Sequence, residues 1–385
     1  MVRERARWGD AVEYAVELDS ATTPTSARAE SGSTQKDHDS IEQACALAYL
    51  PQVGQPEIGD RVLLSASAVA RGLGTGGYML IVAIPDRLPA DSPDQAGHIV
   101  KARYTPSQFM VQGVDEQESP HHKLLAHADS IEGMQVIAAD LHSAVPAIAH
   151  AICEHAPHAR VAYVMNDGGA LPAWFSQAIV KMRAANLICG TITCGQAYGG
   201  DLEAVNVYTA LLAAHHVWNA DIAIVAQGPG NLGTGSAWGF SGVNVAEALN
   251  ATRILGGSPI AALRLSNADK RERHFGISHH SMRVLLDAVS GLCVVPVPVF
   301  DGDDELSAAL SPEFRLAYGA AEAELRTRAH LILAPVHTSG ITDMLRRCPV
   351  PLRTMGRDLD ADAASFIGAA VAGVFAAGKV TSAVR

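Results

Sequence analysis

Five apolar runs in this chain of 385 residues end on side chains that can do chemistry. "MQVIAAD" closes on Asp140, with His142 and Ser143 just beyond, and "RVAYVMND" closes on Asn166 and Asp167. "LICGTITC" runs into Cys194, Gln196 and Asp201, and "DIAIVAQ" into Gln227 and the glycine-rich "GPGNLGTGS". "PIAALRLS" ends among Arg264, Ser266 and Asn267. Strand ends must turn, and Gly, Asn and Asp serve that need. Polar side chains at five successive ends exceed it and point to a shared ligand site on strand-end loops. His142 and His280 are the candidate general bases, oriented by Asp140 or Asp167. Cys194, the one thiol at such an end, is the candidate nucleophile if a histidine activates it, and an inert buried thiol otherwise.

The glycine loop is the candidate ligand wall. Gly228, Gly230 and Gly233 match G-x-G-x-x-G after a strand. Helical periodicity resumes only near Gly242, however, too far on for a pyrophosphate to sit at the helix start. No acid closes the next strand either, where "ALRLSNAD" offers Arg264 and Ser266 before Asp269. A concavity of successive amides fits better. It would use Gly228, Gly230, Asn231, Gly233, Thr234 and Gly235, with Gln196 and His279 beside them and Arg264 or Arg271 as the charged clamp. The plainer alternative is a structural loop packed on a neighbour. "NADKRERHFG" reads as a solvated charge run, or as a lid carrying Arg271 and Arg273 over the site.

"ESPHHKLL" and "ISHHSMRVLL" each place a serine before paired histidines at an expected helix start. Ser119 with Pro120, and Ser278, are the capping residues. The positive end of a helix disfavours imidazolium, so His121, His122, His279 and His280 are expected to be neutral. Neutral imidazole is the form needed in a base or a metal ligand. Adjacent histidines cannot share one point on a helix face, so at most one of each pair joins a site. Asp140, His142, Asp167 and His280 offer oxygen and nitrogen ligands. No spacing of the H-E-x-x-H kind supports a metal, so none is assigned, and the cofactor is left open.

These residues need a scaffold, and the pattern from about Met134 supplies one. Near-continuous Val/Ile/Leu runs alternate with helical stretches such as "VPAIAHAICEH", "LEAVNVYTALLAAHHV" and "GVNVAEALNATRIL". Strands buried on both faces mean a parallel sheet covered by helices. The expectation is an α/β fold with a doubly wound, mostly parallel sheet and helices on both faces. A (β/α)8 barrel is the runner-up and needs more units and residues. Before it, short strand-like runs ("AVEYAVEL", "RVLLSASAV", "GYMLIVAIP") separated by turns suggest a small β-barrel-like or β-sandwich domain. The expected division is 1–112 and 113–385, with the polar stretch 19–40 as a disordered loop. "GLGTGGY" (72–78) reads as a hairpin turn.

A formal charge of −11 opposes a nucleic-acid partner. The N-terminus lacks the apolar core of a secretory signal. The apolar run 366–378 is too short to span a bilayer and suits a closely packed terminal helix, so no membrane partner is expected. Its Gly368, Ala372 and Gly373 fit close packing, within the chain or across a homodimer. Six cysteines without CxxC spacing fit reduced thiols and a cytoplasmic location.

"GLGTGGY", "GHIVKARYTPSQ", "DEQESPHH", "DLHSAVPA", "TCGQAYGGDLEAVNVYTALLAA", "QGPGNLGTGSAWGFSG" and "GISHHS" together resemble the bacterial family called domain of unknown function 3866. The resemblance covers most of the chain and implies no activity, cofactor or catalytic residue. The residues themselves suggest an enzyme, a transferase or hydrolase, acting on a small anionic metabolite of phosphorylated or nucleotide-like kind. The alternatives are a non-catalytic protein that senses such a metabolite and a purely structural subunit.

Overall fold

Side chains alternate across a strand, so "AVEYAVE" sends Val12, Tyr14 and Val16 to one face, where they pack on Ala46, Ala48 and Ile81. The computed structural model describes residues 1–19, 43–73, 76–89 and 96–383. It divides into two compact units, Met1–Gln95 with Ala102–Phe109, and Ala96–Lys101 with Met110–Arg385. In the first unit the strands Arg3–Trp8 (β1), Ala11–Glu17 (β2), Gln43–Tyr49 (β3), Leu63–Ser65 (β4) and Met79–Ala83 (β5) form one sheet. They pair in the linear order β1-β2-β3-β5-β4, with β3 and β5 parallel and the other pairs antiparallel. The segment read as a disordered loop lies, beyond Asp19, outside the described residues, as do Gly74 and Thr75 of "GLGTGGY".

The second unit opens with two short strands, Ile99–Lys101 (β6) and Phe109–Val111 (β7), the latter straddling the division. Lys101 belongs with the larger unit for an electrostatic reason. Its buried ammonium donates to the carbonyls of Gly195, Ala197 and Ala204 at 2.6, 3.0 and 3.2 Å.

Eight parallel strands carry this unit: Gln135–Ala139 (β8), Val161–Asn166 (β9), Gly190–Thr193 (β10), Leu202–Glu203 (β11), Ile222–Gln227 (β12), Ser258–Ala261 (β13), Cys293–Val299 (β16) and Leu331–His337 (β17). Between β13 and β16, Leu265–Ser266 (β14) and Gly276–Ile277 (β15) form a small antiparallel pair. The run read as one strand through Ser266 therefore breaks after Ala261 and resumes in that pair.

The sheet order is β11-β10-β9-β12-β8-β13-β16-β17. Alternate residues of each strand face opposite ways. Val136, Ala138, Val164 and Val225 join a core that includes the helices Val207–His216, Asn244–Ile254 and Pro312–Arg326. Ile137, Tyr163, Met165 and Ile224 join a core with the helices Val145–His155, Ile341–Arg346 and Ala363–Ala383. The terminal helix is 21 residues long, more than the apolar run suggests, and long and apolar enough to cross a membrane by those measures. It lies instead mostly buried on Val145–His155, so close that a Cβ on Gly373 would meet the Ile148 carbonyl at 2.5 Å.

This order creates a switch point. The crossover from β8 runs over β12 to β9 through the helix Val145–His155, on one face. That from β12 runs over β8 to β13 through Asn244–Ile254, on the other. The loops leaving two adjacent strands therefore part at their carboxyl ends, the place where ligands bind in such sheets. The two hollows between them, lined by Asp140 with His280 and by Asp140 with Gln227, are each only about 10 Å³.

Candidate functional site

Asp140 stands at that switch point, one residue past the central strand β8. Its neighbours in the sheet deliver Gln227 at the end of β12 and Arg264 beyond β13. The Gln227 side-chain amide donates to the Asp140 carbonyl at 2.7 Å. The carboxylate itself is buried and saturated. Oδ1 accepts from Asn231 Nδ2 at 2.7 Å, and Oδ2 accepts from Arg264 at 2.7 Å and from His280 Nδ1 at 3.0 Å. Burial raises the pKa of this carboxyl, but the His280 hydrogen bond and the Arg264 charge outweigh it and hold the group below its usual value. Gly242 makes room for it, since a Cβ there would lie 1.9 Å from Oδ1. Beside this network Gln227 Oε1 and Asn166 Oδ1 are buried without a hydrogen-bond partner among the described residues.

His280 is delivered by the start of the helix His279–Arg283, which Ser278 caps by accepting from the His280 amide. Its ring stacks on Phe240 at 3.8 Å between centroids. Two more imidazoles surround it, with ring centroids 4.4 Å (His279) and 5.0 Å (His274) away. His274 is buried and its Nδ1 is held by Ser278 Oγ at 2.8 Å. Burial first, then nearby cations including Arg264, pull His274 down to about 3, and burial with His280 and Arg273 pulls His279 down to about 4. Both rings are neutral near pH 7. His279 also lines a cavity of about 390 Å³ with Ala237, Arg283, Asp287, Glu324 and Arg328, a size that suits a small ligand.

The strand ends form a row. The strands β10, β9, β12, β8 and β13 are consecutive neighbours, so the outer two ends lie roughly 19 Å apart at ~4.8 Å per strand. Asp140, Arg264, His279, His280 and Asn231 gather at one end of that row. Asp167 and Cys194 belong to the other, where the Gln196 amide donates to Asp167 at 2.9 Å. Cys194 is buried in the apolar core, and burial pushes its thiol up to about 12, which leaves no thiolate for nucleophilic attack. Close by, Lys101 faces Glu203 at 3.6 Å. Burial lowers the lysine pKa and raises that of the glutamate. Three carbonyl acceptors on one nitrogen require the ammonium form, so this cluster staples the loops after β10 together.

His142 does not share a face with Asp140. The chain turns into a short 3-10 helix, His142–Ala144, instead of staying extended. The ring enters the other core, with Nδ1 on Tyr163 Oη at 2.8 Å and Nε2 on Ser176 Oγ at 2.6 Å. Both ring nitrogens are spent, and burial lowers its pKa to about 4.

The glycine loop is a hairpin rather than a bare cradle. Gly233 bridges to Phe240, the Thr234 amide donates to the Gly239 carbonyl, and the Leu232 amide donates to Ser241 Oγ. The Gly228 amide reaches the Asn166 carbonyl, and Gly169 packs so tightly on the carbonyls of Gly228 and Gly230 that a Cβ would approach within 2.6 Å of both. Asn231, through Asp140, is the loop's link to the site, while Gly230 and Gly235 take up positive φ at its bends. Arg271 is clamped by both oxygens of Asp269, at 2.9 and 2.8 Å, and so is not an open anion clamp. Arg273, by contrast, makes no hydrogen bond or ion pair among the described residues, and its guanidinium would lie 4.0 Å from a Cβ on Gly235. His122 binds the Asp115 carbonyl through Nδ1, outside the histidine cluster.

His274, Phe240 and Gly242 escape a reading by residue type. Three histidines within the seven residues 274–280 were the available signal for the first; the short strand β15 between them hides it from helix-spacing rules. Neither a search of curated proteins nor one of solved structures returns a match. The family model described as protein of unknown function (DUF3866) matches residues 45–373, well over half of the chain. The chain belongs to the DUF3866 family.

Proposed function

We propose that this chain is an enzyme of hydrolysis or group transfer that acts on a small anionic metabolite held in the cavity beside His279, next to the β8/β12 switch point. The observation that carries this reading is the buried Asp140 carboxylate held on His280 Nδ1. His280 Nδ1 lies 3.0 Å from both Asp140 Oδ2 and Arg264 Nη1. In the tautomer that donates Nδ1–H to the carboxylate the Nε2 lone pair is left free, the arrangement of an oriented catalytic or ligating imidazole. Arg273, unpaired among the described residues, supplies positive charge for an anion, and the cavity beside His279 supplies room. Arg264 serves Asp140 and His280 from within and positions them.

The test is turnover and thermal stabilisation of the purified protein against nucleotides, sugar phosphates and simple phosphate and carboxylate esters. Turnover that His280→Gln and Asp140→Asn each abolish, in folded protein, supports the reading. Ligand stabilisation with no turnover points to metabolite sensing instead, and turnover that survives both substitutions refutes the assignment.

A further inference from the structure

We propose that His274, His279 and His280 form a binding site for one transition-metal ion, with zinc the ion this donor set fits. The inference rests on reading the β8/β12 switch point as the functional centre and names the cofactor it would use. Each of the three rings offers a nitrogen, and these nitrogens lie within 4.8 Å of one another. Among the described residues the cluster holds no thiol or carboxylate ligand, and three imidazoles suit zinc, copper, nickel or iron rather than calcium or magnesium.

The second layer around the rings is what separates this cluster from aromatic packing. Metal-ligating histidines almost always donate the other ring N–H to a carboxylate, carbonyl or hydroxyl that sets the tautomer. His280 Nδ1 has Asp140 Oδ2 and Arg264 Nη1 both at 3.0 Å, the carboxylate being the partner a metal-bound ring would donate to, and His274 Nδ1 has Ser278 Oγ at 2.8 Å. Among the described residues the Nε2 atoms of both rings make no hydrogen bond, so each ring is fixed at one nitrogen and open at the other. The Asp140 charge also balances Arg264, whose guanidinium sits beside His280.

Access and geometry agree with a working rather than a sealed site. His274 and His280 are buried, whereas the half-buried His279 lines the cavity of about 390 Å³. Three protein ligands leave a fourth tetrahedral position, the arrangement of catalytic rather than structural zinc. An ion there would polarise a bound water or an anionic substrate oxygen, the two services that hydrolysis and group transfer need.

Protein stripped of metal by a chelator and titrated with Co²⁺ tests this directly, because tetrahedral Co²⁺ absorbs visibly and needs no substrate. The expected result is saturation at one Co²⁺ per chain, with displacement by one Zn²⁺. His279→Ala, a half-buried position, should weaken binding by ~100-fold or more, and Asp140→Asn by about 10–100-fold. His274→Gln provides a second ligand variant, and His158→Ala, an exposed histidine elsewhere, should leave affinity unchanged. No saturable Co²⁺ binding, or binding that survives both ligand variants in folded protein, overturns the proposal. Turnover that persists unchanged in metal-free protein overturns the metal and leaves the enzyme reading standing. Stoichiometric metal with no turnover of any anionic substrate has the opposite meaning, upholding the site and sinking the enzyme.

Discussion

Gly242→Ala should unmake the Asp140 network, and the size of the effect follows from the structure. The new Cβ would lie 1.9 Å from Asp140 Oδ1. Non-bonded heavy atoms settle near ~3.5 Å, so one partner must retreat by about 1.5 Å. The carboxylate is tied at both oxygens, to Asn231 at 2.7 Å and to Arg264 and His280 at 2.7 and 3.0 Å. Hydrogen bonds of that length do not survive such a displacement. Overpacking alone costs about 1–3 kcal/mol, and breaking a buried ion pair costs about 3–5 kcal/mol. A loss of about 4 kcal/mol is expected, or a melting point lower by about 10 °C at ~2–4 °C per kcal/mol for domains of this size. Guanidinium unfolding followed by circular dichroism measures it. Gly319→Ala is the control: it lies on the exposed face of the helix Pro312–Arg326 with nothing within 4 Å of the new methyl, and should stabilise by about 0.5–1 kcal/mol. In an Asp140→Ala background the alanine at 242 has room, so the two substitutions should couple by about 2 kcal/mol. A loss under ~1 kcal/mol, or simple additivity with Asp140→Ala, would refute the steric argument.

Three further outcomes are expected. His142, held at about 4 by burial, takes up its proton later than in the unfolded chain, where uptake begins near pH 6.5. Its contribution is therefore whole above pH ~6.5 and is lost as pH falls towards 4, a change of about 3 kcal/mol; His142→Asn should flatten the stability-versus-pH curve in that window, and an unchanged slope would count against a buried neutral ring. Cys194, with its thiol near 12, should resist iodoacetamide in the folded protein and react only on unfolding; peptide mapping that finds it alkylated before the half-buried Cys153 or Cys348 would contradict this. Lys101→Met strands Glu203 and three carbonyls, and should destabilise the larger unit by about 3–5 kcal/mol in chemical denaturation. A cost below ~1 kcal/mol would show that the lysine holds nothing together.

Much of the larger unit was legible from residue pattern alone, because the features involved are local. Continuous Val/Ile/Leu runs predict β8, β9 and β12 within one residue and β10 within three, and "VPAIAHAICEH" coincides with the helix Val145–His155. Ser278 caps its helix as its type suggests. Hydrophobic period and capping chemistry are set by backbone geometry over a few residues, so one strand's neighbours do not enter. The same locality explains the failures. Asp140 and His142 share a face only if the chain stays extended, and a turn into a 3-10 helix sends the histidine into the opposite core. The glycine loop reads as bare amides until its partner strand, Gly239 to Ser241, closes the hairpin on it. In the smaller unit the strand runs are visible, but whether they close into a barrel or pair as the linear β1-β2-β3-β5-β4 sheet depends on edges no single run contains.

Residue types alone therefore determined which strand ends carry polar side chains and that a parallel sheet presents them. Tertiary structure alone decided which ends meet. Asp140 and His280 are 140 residues apart, and Asp140 and Arg264 are 124 apart. They touch because β8 lies between β12 and β13, an order set by crossovers that bury both faces of the sheet at once. Burying faces is a property of the whole chain, so neither the row of strand ends nor the place of His274 beside His280 is written in any one segment.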